Sequence, residues 1–122
     1  MAKKILIIED DEFFRELIRK KISSNKDFEF MEAADGEKGL EAIKKEKPDL
    51  VLLDLLLPNV DGFEVLSKVR SDSDISKTPI IVLSNLGQQE DIEKALKLGA
   101  NDYMIKSQFD INQIIDKITN LM

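Results

Sequence analysis

The stretch Pro48-Asp49-Leu50-Val51-Leu52-Leu53-Asp54 decides the fold. Four consecutive apolar residues, Leu50 to Leu53, end in the carboxylate of Asp54. A run of this length without polar alternation is what a strand buried on both faces requires, as in a parallel sheet. Three more runs have the same form: Ile5 to Ile8 leads into Glu9-Asp10-Asp11, Ile80 to Leu83 into Ser84, and Tyr103-Met104-Ile105 into Lys106. In open parallel sheets, chemistry gathers beyond the carboxyl ends of the strands. Side by side, these four ends would bring carboxylates, a hydroxyl and an ammonium into one pocket.

The segments between the runs have helical spacing and caps, so strand and helix alternate along the whole chain. Phe14, Leu17, Ile18 and Ile22 share one face of a first helix that opens with acidic residues, matching the positive end of its dipole. Phe28 to Ala33 alternates apolar and polar residues, as an edge strand does. Asp35-Gly36 starts a second helix with Leu40 and Ile43 inward, and Pro48 closes the turn before the Asp54 strand. Asp61 and Glu64 have capping-box spacing before Phe63, Val65, Leu66 and Val69. Ile92, Ala95 and Leu96 line a fourth helix ended by Gly99, and Ile111, Ile114, Ile115, Ile118 and Leu121 stripe a last one.

Strict alternation with short connections predicts an α/β fold: a doubly wound, five-stranded parallel sheet with helices on both faces. The half-polar Phe28 to Ala33 segment belongs at an edge, and the Ile5 and Leu50 runs belong at the centre. Order 2-1-3-4-5 satisfies both and places the crevice between strands one and three, beside Asp10 and Asp54.

At 122 residues the chain is the size of one domain, taken as residues 1–122. Its 34% charged and 43% apolar residues are ordinary for a soluble protein, and no stretch has the length and apolarity to cross a bilayer. There is no cysteine and the start has no apolar signal segment, so a cytoplasmic location is expected. A net charge of −6 without a basic run disfavours direct binding to nucleic acid. Histidine is absent, so neither a histidine general base nor a phosphohistidine exists here, and a phosphoryl group would have to come from outside.

Magnesium prefers hard oxygen ligands, one or two carboxylates with waters and a phosphate oxygen, and Glu9, Asp10 and Asp54 supply carboxylates. A carboxylate can act as nucleophile toward an activated phosphoryl donor; Lys106 and the Ser84 hydroxyl would then hold phosphoryl oxygens. Each residue taken singly has a plainer role: an acidic helix start, a solvated lysine, a strand-end cap. Asp54 fits a plain role least, because a carboxylate directly after four buried apolar residues is costly without partners. Phe14 fits the core stripe, which leaves Phe13 near the acidic pocket as a partner contact or a semi-exposed aromatic.

Over essentially its whole length the chain resembles the receiver domain of two-component response regulators, a flavodoxin-like fold. Lys4 to Glu12 is similar to that family's first strand and acidic pair, with Glu9 and Asp10 in the pair positions. Pro48 to Asp54, continuing through Pro58 to Asp61-Gly62-Phe63, resembles the phosphoacceptor segment. Pro79 to Ser84 resembles the strand ending in the switch hydroxyl, and Gly99 to Lys106 the segment ending in the site lysine, with Tyr103 as switch aromatic. The resemblance implies that Asp54 accepts phosphate from the phosphohistidine of a sensor histidine kinase or phosphotransfer protein. It also implies Mg2+ held by Glu9, Asp10, Asp54 and the Leu56 carbonyl, with Asp10 in direct contact and Glu9 behind a water. Two positions depart from the pattern: Ser107 follows the lysine where proline is usual, and Asn85 follows the hydroxyl where a small residue is usual. A trans Lys106-Ser107 bond with a rearranged loop is therefore expected.

The expectation is a stand-alone, chemotaxis-regulator-like receiver. It would work by binding a downstream protein through a switched surface of helix four, strand five and helix five. It would be monomeric and no enzyme beyond assisting its own phosphorylation and dephosphorylation. The chain stops where the last helical stripe ends, which favours a complete single-domain protein. One rival is an interaction module of the same fold that never takes phosphate. Another is a phosphatase of the haloacid dehalogenase type, whose Asp-x-Asp strand end is not matched by Glu9-Asp10-Asp11.

Overall fold

The computed structural model describes residues 2–121. Strands β1 (Lys3–Ile8), β2 (Phe28–Ala33), β3 (Leu50–Leu53), β4 (Ile80–Ser84) and β5 (Asp102–Ile105) alternate with helices α1 (Glu12–Ser23), α2 (Gly36–Glu46), α3 (Gly62–Ser71), α4 (Gln89–Lys97) and α5 (Ile111–Leu121). A 3-10 turn, Lys106–Gln108, joins β5 to α5. The sheet is parallel throughout, in the order β2-β1-β3-β4-β5. This is the predicted topology, with its crossing point between β1 and β3.

The strand runs are uniformly apolar because both sheet faces are covered. Leu6, Ile8, Val51, Leu53, Ile80 and Val82 face α2, α3 and α4, where Ile43, Val65, Leu66, Val69 and Ala95 meet them. The alternate residues Ile5, Ile7, Leu50, Leu52, Ile81 and Leu83 face α1 and α5, meeting Ile18, Ile22, Ile114 and Ile118. Each such buried side chain contributes about 1.5–3 kcal/mol.

Four helix caps follow the sequence. Asp11, Asp35 and Asp61 accept amide hydrogen bonds at the starts of α1, α2 and α3. Gly99, at φ +108, ends α4 with a backbone that an L side chain rarely adopts. The Asp61–Glu64 pair is half a capping box: Asp61 Oδ1 accepts from the Glu64 amide at 3.0 Å, but the Glu64 carboxylate turns to Lys68 at 3.2 Å.

Three apolar assignments need correction. Leu17, Leu96 and Leu121 are exposed rather than part of their helices' buried stripes. Each sits on the flank of a stripe that two or fewer inward residues already fill: Ile18 and Ile22 in α1, Ala95 in α4, Ile114 and Ile118 in α5. A helix packed on a sheet buries a narrow face, so a flanking leucine stays in solvent.

Candidate functional site

Register alone brings the site together. Ile8 pairs with Leu53, so Glu9 and Asp54 are the first residues past two neighbouring strand ends. The Asp54 amide donates to the Ile8 carbonyl at 3.0 Å, which locks that step. Leu53 pairs with Val82, placing Ser84 just beyond, and Ser84 pairs with Ile105, so Lys106 follows directly. The loop after Asp54 turns sharply under the pocket. The Gly62 amide donates to the Leu55 carbonyl at 3.0 Å, and a Cβ on Gly62 would sit 2.4 Å from the Asp54 carbonyl oxygen, so only glycine lets α3 begin there.

Asp54 is 7% exposed and Glu9 2%, whereas Asp10 faces solvent. Carboxylate oxygens of Glu9, Asp10 and Asp54 lie within 4.8 Å of one another. Asp54 Oδ1 accepts from the Leu55 amide at 2.7 Å, while Oδ2 faces Lys106 Nζ at 3.3 Å. Lys106 also pairs with Glu9 Oε1, and its ammonium lies 4.5 Å from the centroid of the Phe14 ring. Burial pushes the Glu9 carboxyl up to about 7; the Lys106 hydrogen bond opposes that rise and the Asp54 charge adds to it.

This donor set fits a divalent ion of the magnesium type. It consists of hard oxygens, two of them on carboxylates already stripped of water, with the third open to solvent where metal-bound waters would be. Leu56 lies two residues past Asp54, its amide 3.4 Å from Asp54 Oδ1 and its side chain in solvent.

Ser84 is fully buried, and its Oγ accepts from the Leu86 amide at 3.3 Å. The Leu86 carbonyl in turn accepts from the Tyr103 hydroxyl at 2.5 Å. Tyr103 is half-buried, and burial raises its pKa, with the nearby Asp91 charge adding to the rise. Tyr103 is thus docked on the β4–α4 loop. Asn85, the departure beside Ser84, is exposed. At the other departure, the Lys106-Ser107 bond is trans and the loop forms the 3-10 turn, yet Lys106 still reaches Asp54.

Two contributors escaped sequence reading. Arg15 donates to the Glu9 carbonyl at 2.7 Å and to Glu32 at 3.1 Å, tying α1 to the strand end that carries the acidic pair. Phe14 packs on the α1/α5 core as expected, but its ring also faces the site lysine. Phe13 is 69% exposed at the start of α1.

The family profile of the response regulator receiver domain matches residues 5–119. The chemotaxis protein CheY of Halobacterium salinarum is 34% identical over 125 residues, covering 100% of this chain and 98% of CheY. The DNA-binding dual master transcriptional regulator RpaA of Synechocystis is 34% identical over 119 residues, covering 98% of this chain but 48% of RpaA. This chain spans about half the length, or less, of the transcriptional regulators it matches. Among solved structures, the receiver domain of the Francisella response regulator 1452 superposes with a TM-score of 0.87 at 30% identity, covering 98% of this chain and 96% of that one.

Proposed function

This chain belongs to the response regulator receiver domain family, and from that membership we propose that it accepts a phosphoryl group on Asp54 from a histidine kinase or phosphotransfer protein. The observation that carries the proposal is the setting of the Asp54 carboxylate: nearly buried, one oxygen fixed by the Leu55 amide and the other facing Lys106, beside two more carboxylates.

An Asp54 oxygen attacks the phosphorus of a phosphohistidine. A P–O bond forms as the P–N bond breaks, and that bond's electron pair returns to the imidazole nitrogen. The Lys106 ammonium, already poised between Glu9 and Asp54, pairs with a phosphoryl oxygen. Glu9, Asp10, Asp54 and the Leu56 carbonyl would hold Mg2+, whose chemistry here would be to neutralise charge on the transferring group. Water later hydrolyses the acyl phosphate. The chain assists both steps on itself and turns over no metabolite, so it is a signalling protein rather than an enzyme.

The signal leaves through hydrogen bonds already in place. Phosphate on Asp54 offers the Ser84 hydroxyl a new acceptor; Ser84 is bonded to Leu86, and Leu86 to Tyr103. Phosphorylation therefore shifts the population toward a tightened β4–α4 loop and a changed α4–β5–α5 surface that a downstream protein reads. We place the protein in the cytoplasm as a monomeric, stand-alone receiver without direct DNA contact. The full-length match to CheY and the absence of a basic run support this reading. Mass spectrometry after incubation with Mg2+ and acetyl phosphate tests the core of it: one phosphoryl group is expected, and none on Asp54→Asn. Undiminished labelling of that variant would remove the assignment, and no labelling of the parent would favour a phosphate-independent interaction module.

A further inference from the structure

We infer that Phe14 is a positioning residue for Lys106, its ring face forming the wall that keeps the ammonium over Asp54. The inference rests on the reading of Asp54 as phosphoacceptor. Lys106 needs such a wall because its own loop does little to aim it: the residue that follows is Ser107, and the chain turns away at once through the Lys106–Gln108 turn.

The ring itself is fixed. Phe14 packs against the α1/α5 core, and the Lys106 side chain above it is only 13% exposed, so the attraction between ammonium and ring acts with little water between them. A second cation and ring pair among the described residues, Lys94 over Phe63 at 4.2 Å, has its lysine exposed to solvent.

The chemistry also favours a ring over a further carboxylate. Glu9 and Asp54 now hold the ammonium, but both are also the groups that would ligate a metal, and Asp54 is the group that would carry the phosphoryl. As their charge is spent there, their hold on Lys106 weakens. The ring face keeps attracting the cation without neutralising it, so the ammonium is left free to pair with a phosphoryl oxygen. Leucine at this position would fill the same core space and offer no such face.

Two readouts test the inference on the full chain. In lysine labelled with carbon-13, the Lys106 ε-methylene resonance, assigned by its loss in Lys106→Arg, should be displaced upfield by the ring current. It should return to the position of the solvated lysines in Phe14→Leu and stay displaced in Phe14→Tyr. With acetyl phosphate at saturating Mg2+, Phe14→Leu should be labelled about tenfold more slowly. Phe14→Tyr should recover most of the parent rate, and Mg2+ affinity should be the same in all three. An undisplaced Lys106 resonance in the parent overturns the inference without any variant having to fold. So does a folded Phe14→Leu labelled at the parent rate. A parent that takes no phosphoryl group overturns the phosphoacceptor reading instead, while the ring-current shift still decides the contact.

Discussion

The two ends of the sheet solve opposite electrostatic problems. At the carboxyl ends of β1 and β3, three carboxylates gather, and two of them, Glu9 and Asp54, pair with the ammonium of Lys106. At the amino ends of β4 and β5, the Arg70 guanidinium is ringed by neutral acceptors: the carbonyls of Gly99 at 2.9 Å, Ser76 at 3.0 Å and Thr78 at 2.7 Å, and Asn101 Oδ1 at 3.0 Å. Asn101 Oδ1 also accepts from the Ile80 amide at 2.8 Å, so one side chain joins the cation to the start of β4. The Arg70 end is satisfied as it stands and ties α3, the α3–β4 loop and the α4–β5 loop together. The carboxylate end is unbalanced until a cation or a covalent change reaches it. Charge is satisfied by hydrogen bonds at one end and left in excess at the other.

The largest expected effect comes from breaking the satisfied end. Arg70→Ala leaves several carbonyls without their charged donor and should lower unfolding free energy by about 3 kcal/mol. Phosphorylation of the folded fraction should stay at the parent level, since α3's other end, not this one, borders Asp54. Urea denaturation with parallel acetyl phosphate labelling measures both. A loss of labelling without a loss of stability would mean that the two ends are coupled.

Next in size is the pH response of the unbalanced end. Glu9 has its carboxyl raised from 4.5 to about 7 by burial, so the folded chain holds a proton there that the unfolded chain releases. The sign follows: the stability this group contributes is fully present below about 4.5 and is lost as pH rises through about 7. In metal-free protein the loss is on the order of 2 kcal/mol, and Glu9→Gln should flatten the profile across that window. Denaturation curves at several pH values in a chelator decide this; an unchanged slope in Glu9→Gln would show that Lys106 fully compensates the burial.

How much of this contrast the residues announce differs between the ends. The carboxylate pocket was legible because its residues stand at the ends of apolar runs, and parallel pairing places successive strand ends together whatever the side chains are. The strand order was legible from the half-polar Phe28 to Ala33 segment, which had to be an edge. The Arg70 clamp was not, because its partners are mostly backbone carbonyls on segments up to 31 residues away, and a carbonyl leaves no mark in a sequence. Arg15 was hidden for the same reason, its best contact being the Glu9 carbonyl. Phe14 was half legible: the stripe marked it as core, but the lysine above it comes from the far end of the chain.

Mg2+ binding at the carboxylate end would separate the two ends further. Asp10 faces solvent while Glu9 is buried against Lys106, so a metal with its waters meets Asp10 more directly. Asp10→Ala should weaken Mg2+ binding about tenfold or more, and Glu9→Ala less, as read by the Mg2+ concentration needed to raise the melting temperature. Equal losses would place both carboxylates in equivalent contact with the ion.

The smallest effect should come from adding a carboxylate beside the already satisfied Arg70 guanidinium. Asn101→Asp keeps the oxygen that accepts from Arg70 and Ile80, and it adds a negative charge at an exposed position beside the guanidinium. Coulomb attraction at such a surface site is largely screened, so stability should stay within about 0.5 kcal/mol of the parent. Ser84→Asp is the matched change at the other end: it puts a further carboxylate into a fully buried position beside the acidic pocket, with Lys106 already shared. It should cost several times as much, about 2 kcal/mol or more. Urea unfolding of the two variants at one pH gives the difference directly. If Asn101→Asp proves as costly as Ser84→Asp, charge balance is not what distinguishes the ends, and shape at the Arg70 clamp would have to explain its stability instead.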